Sequence, residues 1–402
     1  MAQSSKRPEL LAPAGNLEKL KWAVQYGADA VYFGSEYSLR NFAGNFSLAQ
    51  AEQGIKYLHR FGRKAYITLN IFPFSDEYDK ILSLARNFDE MNADAIIVAD
   101  LGVLMMLKRE GIRAAVHIST QANTLSSQTA LEYAELGASR VNLARELSLQ
   151  QIKAILPAVS GKIQTEVFIH GAVCFSYSGR CAISDYLTGR RANRGECTHP
   201  CRWKYHLMEE ERPGEYHPVF EDDRGLYFFN SKDLALFEYV PALAEIGVDS
   251  MKIEGRMKSV HYIGSVVSLY RRIIDGDEIS SEEAFKLLGR VKNRGYSRGF
   301  IDGPAESKDC QLEDNHSTGG TVFAANVTDQ TSDNGCFIRV RNKIFAGEKL
   351  EVLLPNGRLS EATLPKPLTD QKGETHEFAN NEQIIRLTSP LPEFSILRRV
   401  SE

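Results

Sequence analysis

The sequence predicts an α/β protein in which a TIM-like (β/α)8 barrel precedes a small C-terminal all-β barrel. Three observations carry this expectation. One phrase recurs along the first part of the chain, as QYGADAVYFGS, RFGRKAYITLN, EMNADAIIVAD, REGIRAAVHIST, ELGASRVNLAR and EIGVDSMKIEG. The strands in these phrases are almost continuously apolar and alternate with amphipathic helices, as in a parallel sheet covered on both faces. After Gly303 the texture changes to short alternating strands broken by Gly, Asn and Pro.

Taken in order, ELLAP (9–13) supplies the first strand and NLEKLKWAVQYG the first helix, with Asn16 as its N-cap. In the recurring phrase a helix runs out, usually at Gly, and after one to three small or polar residues a β-branched strand begins. SLQQIKAILPAV, capped by Ser148, leads into TEVFIHG (165–171), the seventh strand, and SMKIEG completes a set of eight. Eight such units predict a closed barrel. The alternative is an open doubly wound sheet, but no GxGxxG follows the first strand to favour a dinucleotide fold. STGGTVFAANV, NGCFIRVRN, KLEVLLPNG, EQIIRLTSP and FSILRRV build the second domain. The expected limits are 1–303 for the barrel, with an insertion at about 172–225, 304–316 for a linker and 317–402 for the small domain.

The chain has 48 Lys and Arg against 52 Asp and Glu, a net charge of −4. That argues against non-specific coating of nucleic acid but leaves room for a local basic patch at Arg190, Arg191 and Arg194. The N-terminus shows no apolar signal region, and no apolar run is long enough to span a bilayer. The expectation is a cytoplasmic chain with no membrane partner. In that reducing setting, clustered cysteines bind metal or do chemistry more often than they form disulfides.

Active sites of such barrels sit at the C-terminal ends of the strands. Those ends carry Ser35, Asn70, Asp100, Gln121, Arg145, His170, Glu254 and Arg256, and the insertion leaves from the same face. Four of the six cysteines (Cys174, Cys181, Cys197 and Cys201) fall inside that insertion, within a span of 28 residues. Four soft thiolates suit an iron–sulfur cluster. A structural zinc is the second reading, although only Cys197-x3-Cys201 has the spacing of a zinc knuckle. Four unconnected buried thiols are the third. Cys310 and Cys336 are read as bystanders. His117 and His170 at strand ends are candidate acid–base groups. Lys252, Glu254 and Arg256 alternate along one strand and its exit, either toward the barrel mouth or in an internal ion pair. GYSRG around Ser297 has the spacing of a serine-hydrolase elbow but not its strand-then-helix setting.

ELLAPAGNLEKLKWAVQYGADAVYFG, RVNLARELSLQQI, EVFIHGAVCFSYSGRCAIS, RANRGECTHPCRWKY, NSKDL and SMKIEGRMKS together resemble the collagenase-like peptidase family of undetermined mechanism. The resemblance runs over about residues 9–300 and is strongest to the members that hydroxylate tRNA. It implies oxygen-independent, prephenate-dependent formation of 5-hydroxyuridine at the wobble position. It also implies a [4Fe-4S] cluster on Cys174, Cys181, Cys197 and Cys201, with zinc as the alternative metal. The implied partners are tRNA and a paralogous family member. On this reading Arg190, Arg191 and Arg194 hold phosphates, and Trp203 or Tyr177 stacks on an extruded base. Arg145 and Arg256 anchor the carboxylates of prephenate, Gln121 binds substrate, and His170, Glu254, Lys252 and His117 form the catalytic set. Peptide hydrolysis, hydroxylation of another RNA base or of a quinone precursor, and a non-catalytic RNA-binding scaffold are the competing expectations.

Overall fold

The computed structural model describes residues 7–35, 37–38, 45–173, 183–190, 196–198, 232–303, 320–332 and 335–400, with strand backbone also at 207–208, 216–217, 220–222 and 225–227. The expected linker lies outside the described residues, as does Cys310.

Eight parallel strands form the barrel: β1 (Glu9–Ala14), β2 (Ala30–Gly34), β3 (Lys64–Thr68), β4 (Ala95–Val98), β5 (Ala115–Ile118), β6 (Arg140–Asn142), β7 (Gln164–Ala172) and β8 (Ser250–Ile253). Neighbours in sequence are neighbours in space from β1 to β7, and β8 pairs with both β1 and β7. That double pairing closes the sheet and excludes the open doubly wound arrangement. β2 and β4 are buried at every position, which accounts for their lack of polar–apolar alternation.

The local chemistry of the turns explains the recurring phrase. Ser47 and Ser148 each cap the helix that follows and complete a capping box, with Gln50 and Gln151 respectively. Asn16 does the same service for Lys19, whose amide donates to its side chain at 2.9 Å. Helices then end on a left-handed residue: Gly62 takes φ +64°, and Asn92 adopts φ +62° at the equivalent place after another helix.

One three-residue element was not foreseen. Asp233–Ala235 is a short strand antiparallel to the last residues of β7, and Tyr296–Ser297 pairs beside it. So short a strand carries no periodicity of its own. It pairs along the last three residues of β7, and Arg294 clamps it through Asp233 at 2.6 Å.

The chain divides into two compact units. One comprises Met1–Leu20, Ala28–Met257 and Asn293–Ser317, and the other Lys21–Gly27, Lys258–Lys292 and Thr318–Glu402. The helix Val260–Ile274 therefore belongs to the second unit. The small all-β domain of that unit is an antiparallel sheet of eight strands. Its core includes Ile338, Val340, Ile344, Val352, Leu368, Ile385 and Leu397. Arg398 is buried in the same unit and donates to Glu351 at 2.6 Å and Ser265 at 3.3 Å.

Candidate active site at the barrel mouth

Inside the barrel, one wall is apolar and the other charged. Leu11, Ala30, Tyr32, Tyr66, Ala95 and Ile97 form a single apolar cluster from β1 to β4. On β6, β7 and β8, polar side chains at Arg140, Asn142, Glu166, Ser250 and Lys252 face the interior beside Phe168. Glu166 Oε1 accepts from Lys252 Nζ and from Asn142 Nδ2, each at 2.8 Å. Its Oε2 accepts from Ser250 at 3.2 Å and from Arg140 at 3.3 Å. Arg140 also donates to Glu9 at 2.6 Å, and the Tyr66 hydroxyl donates to Glu9 at 2.7 Å. Two buried carboxylates thus face two buried cations, each with an opposite charge within hydrogen-bond reach, and the exposed Lys64 adds a third cation 3.5 Å from Glu9. Burial works against the Glu9 carboxylate, yet the adjoining Arg140 outweighs it and holds its pKa below the ordinary value. Burial lowers the pKa of Lys252 despite the opposing pull of Glu166.

His117 lies on this inner side rather than at the mouth. Its ring packs edge-on against Tyr66 with centroids 4.8 Å apart. It borders a cavity of about 1250 Å³ that opens among the loops at the N-terminal face of the barrel. Burial, followed by the charges of Arg140, Lys252 and Lys64, drives its pKa well below the ordinary histidine value. The expectation placed His117 at a strand end. In the structure the mouth-facing residues of this segment are Ser119 and Gln121, two and four positions further on.

At the C-terminal ends, three small clusters ring the mouth. In the first, the Arg256 guanidinium lies against the bare backbone of Gly34, where an added Cβ would come within 2.2 Å of Nη2. Arg256 Nη1 donates to Thr68 Oγ1 at 3.3 Å, and Thr68 Oγ1 donates to Ser38 Oγ at 2.8 Å. In the second, Asn70 Nδ2 donates to Gln121 Oε1 at 2.8 Å, and the Ser119 hydroxyl donates to the same oxygen. The third joins β7 to the exit of β8: the Glu254 amide donates to the His170 carbonyl at 2.8 Å. Gly171 permits this approach, because with φ +109° a Cβ there would stand 2.5 Å from the Glu254 carbonyl oxygen. The His170 ring faces Tyr296 at 5.6 Å. Arg145 stacks on Phe168 at 3.9 Å and donates to the Ala172 carbonyl at 3.2 Å.

The structure therefore gathers Gln121, Arg145, His170, Glu254 and Arg256 on strand ends at one face. Lys252 does not join them, since its ammonium is held by Glu166 below the mouth and lies 4.5 Å from the centroid of Tyr32. Asp100 caps the helix Leu101–Arg109 and accepts from Tyr78, whose hydroxyl pKa burial and that hydrogen bond push up to about 12. Arg190 is exposed. Arg191, Arg194, Cys174, Cys181, Cys201, Tyr177 and Trp203 lie outside the described residues. Glu9, Arg140, Glu166 and Asn142 were missed, although a charged residue inside an otherwise apolar strand was a readable sign. Ser38, Thr68 and Ser119 carried no such sign.

The described ends of the cysteine segment bear on whether these residues suit a metal cluster. Val173, the residue before Cys174, directly follows β7 at the mouth. Thr198, next to Cys197, donates its amide to Ser184, three residues beyond Cys181, at 3.1 Å. The chain flanking two of the thiols is therefore pinned together, and Cys197 itself is half-buried. Four cysteine thiolates on one segment would suit an iron–sulfur centre in their donor chemistry.

Comparison with known proteins agrees with this architecture. Residues 15–311 match peptidase family U32, and residues 320–398 match the C-terminal domain of that family. The chain is 41% identical over 307 residues to tRNA hydroxylation protein P1 of Bacillus subtilis, covering 74% of this chain and 72% of the relative. It is 33% identical over 417 residues to tRNA hydroxylation protein P of Escherichia coli, covering 93% and 91%. It is 36% identical over 277 residues to a 23S rRNA 5-hydroxycytidine synthase of E. coli, covering 68% of this chain and 40% of that one.

Proposed function

The chain belongs to peptidase family U32, and from that premise we propose that it is an RNA-hydroxylating enzyme acting on tRNA. The finer reading is oxygen-independent, prephenate-dependent formation of 5-hydroxyuridine at the wobble position, with a [4Fe-4S] cluster held by Cys174, Cys181, Cys197 and Cys201. One observation carries the RNA-hydroxylation reading: similarity to a tRNA hydroxylation protein extends over 93% of this chain. The departure of the cysteine segment from the end of β7, at the polar barrel mouth, supports the same reading.

Replacing C5–H of uridine by C5–OH is a two-electron oxidation of the base, so in the absence of oxygen the co-substrate must supply the hydroxyl and take up the two electrons and the proton. When bound, the cluster would supply redox-active iron for that chemistry. The protein's own groups do the positioning. Arg256, held flat by Gly34 and Thr68, and Arg145, held by Phe168 and the Ala172 carbonyl, offer forked donors to the two carboxylates of prephenate. Gln121 has its amide oxygen engaged by Asn70 and Ser119, which leaves the Nε2 donors for a pyrimidine carbonyl. His170 and Glu254 are the titratable groups at the junction of β7 and β8 and would hold or pass the proton released at C5.

The test is anaerobic purification followed by assays for iron, acid-labile sulfide, zinc and tRNA hydroxylation with and without prephenate. About four irons and four sulfides per chain are expected. Each single Cys→Ser variant at positions 174, 181, 197 or 201 should lose iron and activity while still binding tRNA. One zinc without sulfide would refute the cluster. Cleavage of peptides by a preparation that leaves tRNA unmodified would return the chain to the peptidase activity in its family name.

A further inference from the structure

We propose that Phe345 and Phe378 in the C-terminal domain form a stacking platform for unpaired RNA bases, with Lys343 as its phosphate contact. The proposal rests on the RNA reading above and names a second place where the RNA is held. Ile344–Phe345 and Phe378–Ala379 are two short antiparallel strands in which Phe345 lies directly opposite Phe378. Ile344 and Ala379, also opposite each other, are both fully buried. Period-two alternation therefore drives the two phenyl rings outward on one face. Phe345 is 48% exposed and Phe378 46%.

Single exposed hydrophobics are ordinary on protein surfaces, but two aromatic rings in cross-strand register with a cation on them are a composed surface. Lys343 Nζ stands 4.0 Å from the centroid of Phe378 and 5.3 Å from that of Phe345. Nearby negative charge is partly neutralised. Glu348 is engaged by Arg399 and by the Phe345 amide, the latter at 2.9 Å, and Arg399 also donates to the Lys343 carbonyl at 2.9 Å. Glu377, beside Phe378, is exposed.

Charge and shape together favour RNA over an apolar protein partner. A base stacks on an aromatic face whatever its identity, and a lysine on a flexible stem can leave that face for the adjoining phosphate. A partner that buried only apolar surface would strand the Lys343 ammonium between the rings.

The experiment measures binding of unmodified tRNA and of a short single-stranded oligoribonucleotide to the full-length protein by fluorescence anisotropy. Wild type is compared with Phe345→Ala/Phe378→Ala and with Phe345→Tyr/Phe378→Tyr. Light scattering is recorded without RNA, and melting temperature serves as the folding control. The alanine pair should bind both RNAs at least about tenfold more weakly, and the tyrosine pair should bind like wild type. Equal affinity for wild type and the alanine pair would overturn the platform while leaving RNA hydroxylation standing. Failure of wild type itself to bind any RNA would overturn both. A change of oligomeric state in the alanine pair without RNA would make the patch a contact between copies of this chain, and would also overturn the platform.

Discussion

Replacing Glu166 by Gln should destabilise the barrel by about 3–5 kcal/mol, the usual result of leaving buried charge without its partner. Glu166 and Arg140 have side chains 3% exposed and Lys252 5%, so water compensates little. At the 2.8 Å separation of Glu166 and Lys252, an effective dielectric of about 20 gives a gross attraction of roughly 6 kcal/mol, most of it offset by desolvation. The glutamine keeps the shape but takes the carboxylate away from Lys252 and leaves Arg140 with Glu9 alone. Lys252→Met acts differently, because Glu166 would retain Arg140, Asn142 and Ser250 as donors. Its cost should be about 1–3 kcal/mol. The double variant again balances one carboxylate against one cation, so its cost should fall below the sum of the two by at least about 1 kcal/mol. Urea denaturation followed by circular dichroism measures all three, with unchanged m-values required for the comparison. A Glu166→Gln cost below that of Lys252→Met, or strict additivity in the double variant, would refute the coupled network.

On the proposed reaction, Arg256→Ala should raise KM for prephenate by roughly tenfold or more, the worth of a charge-assisted hydrogen bond, without loss of iron. Gly34→Ala should mimic it, because the new methyl falls 2.2 Å from Arg256 Nη2; wild-type kinetics in that variant would contradict the stacking. Gly171→Ala should impair folding or activity more than an ordinary loop change, since φ is +109° and the methyl would strike the Glu254 carbonyl oxygen. His117 supplies a pH dependence. Burial first, then Arg140, Lys252 and Lys64, keep it neutral in the fold, whereas the unfolded chain takes up its proton near pH 6.5. Stability from this group is thus complete above about pH 6.5 and declines below it by at most about 1.4 kcal/mol per pH unit. His117→Phe should flatten the stability profile between about pH 6.5 and 5, and an unchanged slope would show that the imidazole takes up its proton as readily in the fold as in the unfolded chain.

The barrel was legible because its signals are local and repeated. Gly62 and Asn92 end helices in the same left-handed conformation, and Ser47 and Ser148 open helices through the same capping box. Each repeat therefore announces its boundaries without tertiary information. The mouth was legible in part, since the strand-end rule put Gln121, Arg145, His170, Glu254 and Arg256 on one face. What stayed hidden depends on pairing across the barrel. Glu9 and Arg140 are 131 residues apart and still bond at 2.6 Å, and only closure of β8 on β1 and β7 makes one interior of them. The same closure turned Lys252 away from the mouth. His117 misled because position along a strand fixes which side a residue faces, but not how deep in the barrel it lies.

Gln121 offers the sharpest test of what the mouth recognises. Its Oε1 accepts from both Asn70 Nδ2 and Ser119 Oγ, an assignment that turns the amide oxygen toward Asn70 and Ser119. The Nε2 is then the end available to a ligand, and it can only donate. Uracil presents carbonyl acceptors at positions 2 and 4, whereas cytosine presents an amino donor at position 4, so an amide held in this sense fits uracil at that edge. Gln121→Met, close in volume and without donors, should raise KM for tRNA or lower kcat/KM by roughly tenfold, the cost of one lost hydrogen bond that leaves a buried partner unmet. Melting temperature and iron content should stay close to wild type, because Asn70 and Ser119 can still hydrogen-bond each other. Gln121→Glu should be worse than Met, since a carboxylate would oppose both the uracil oxygens and the RNA phosphates. If Gln121→Met hydroxylates tRNA with wild-type kinetics, the Asn70–Ser119–Gln121 cluster serves only to brace the ends of β3 and β5, and base selection lies elsewhere on the mouth.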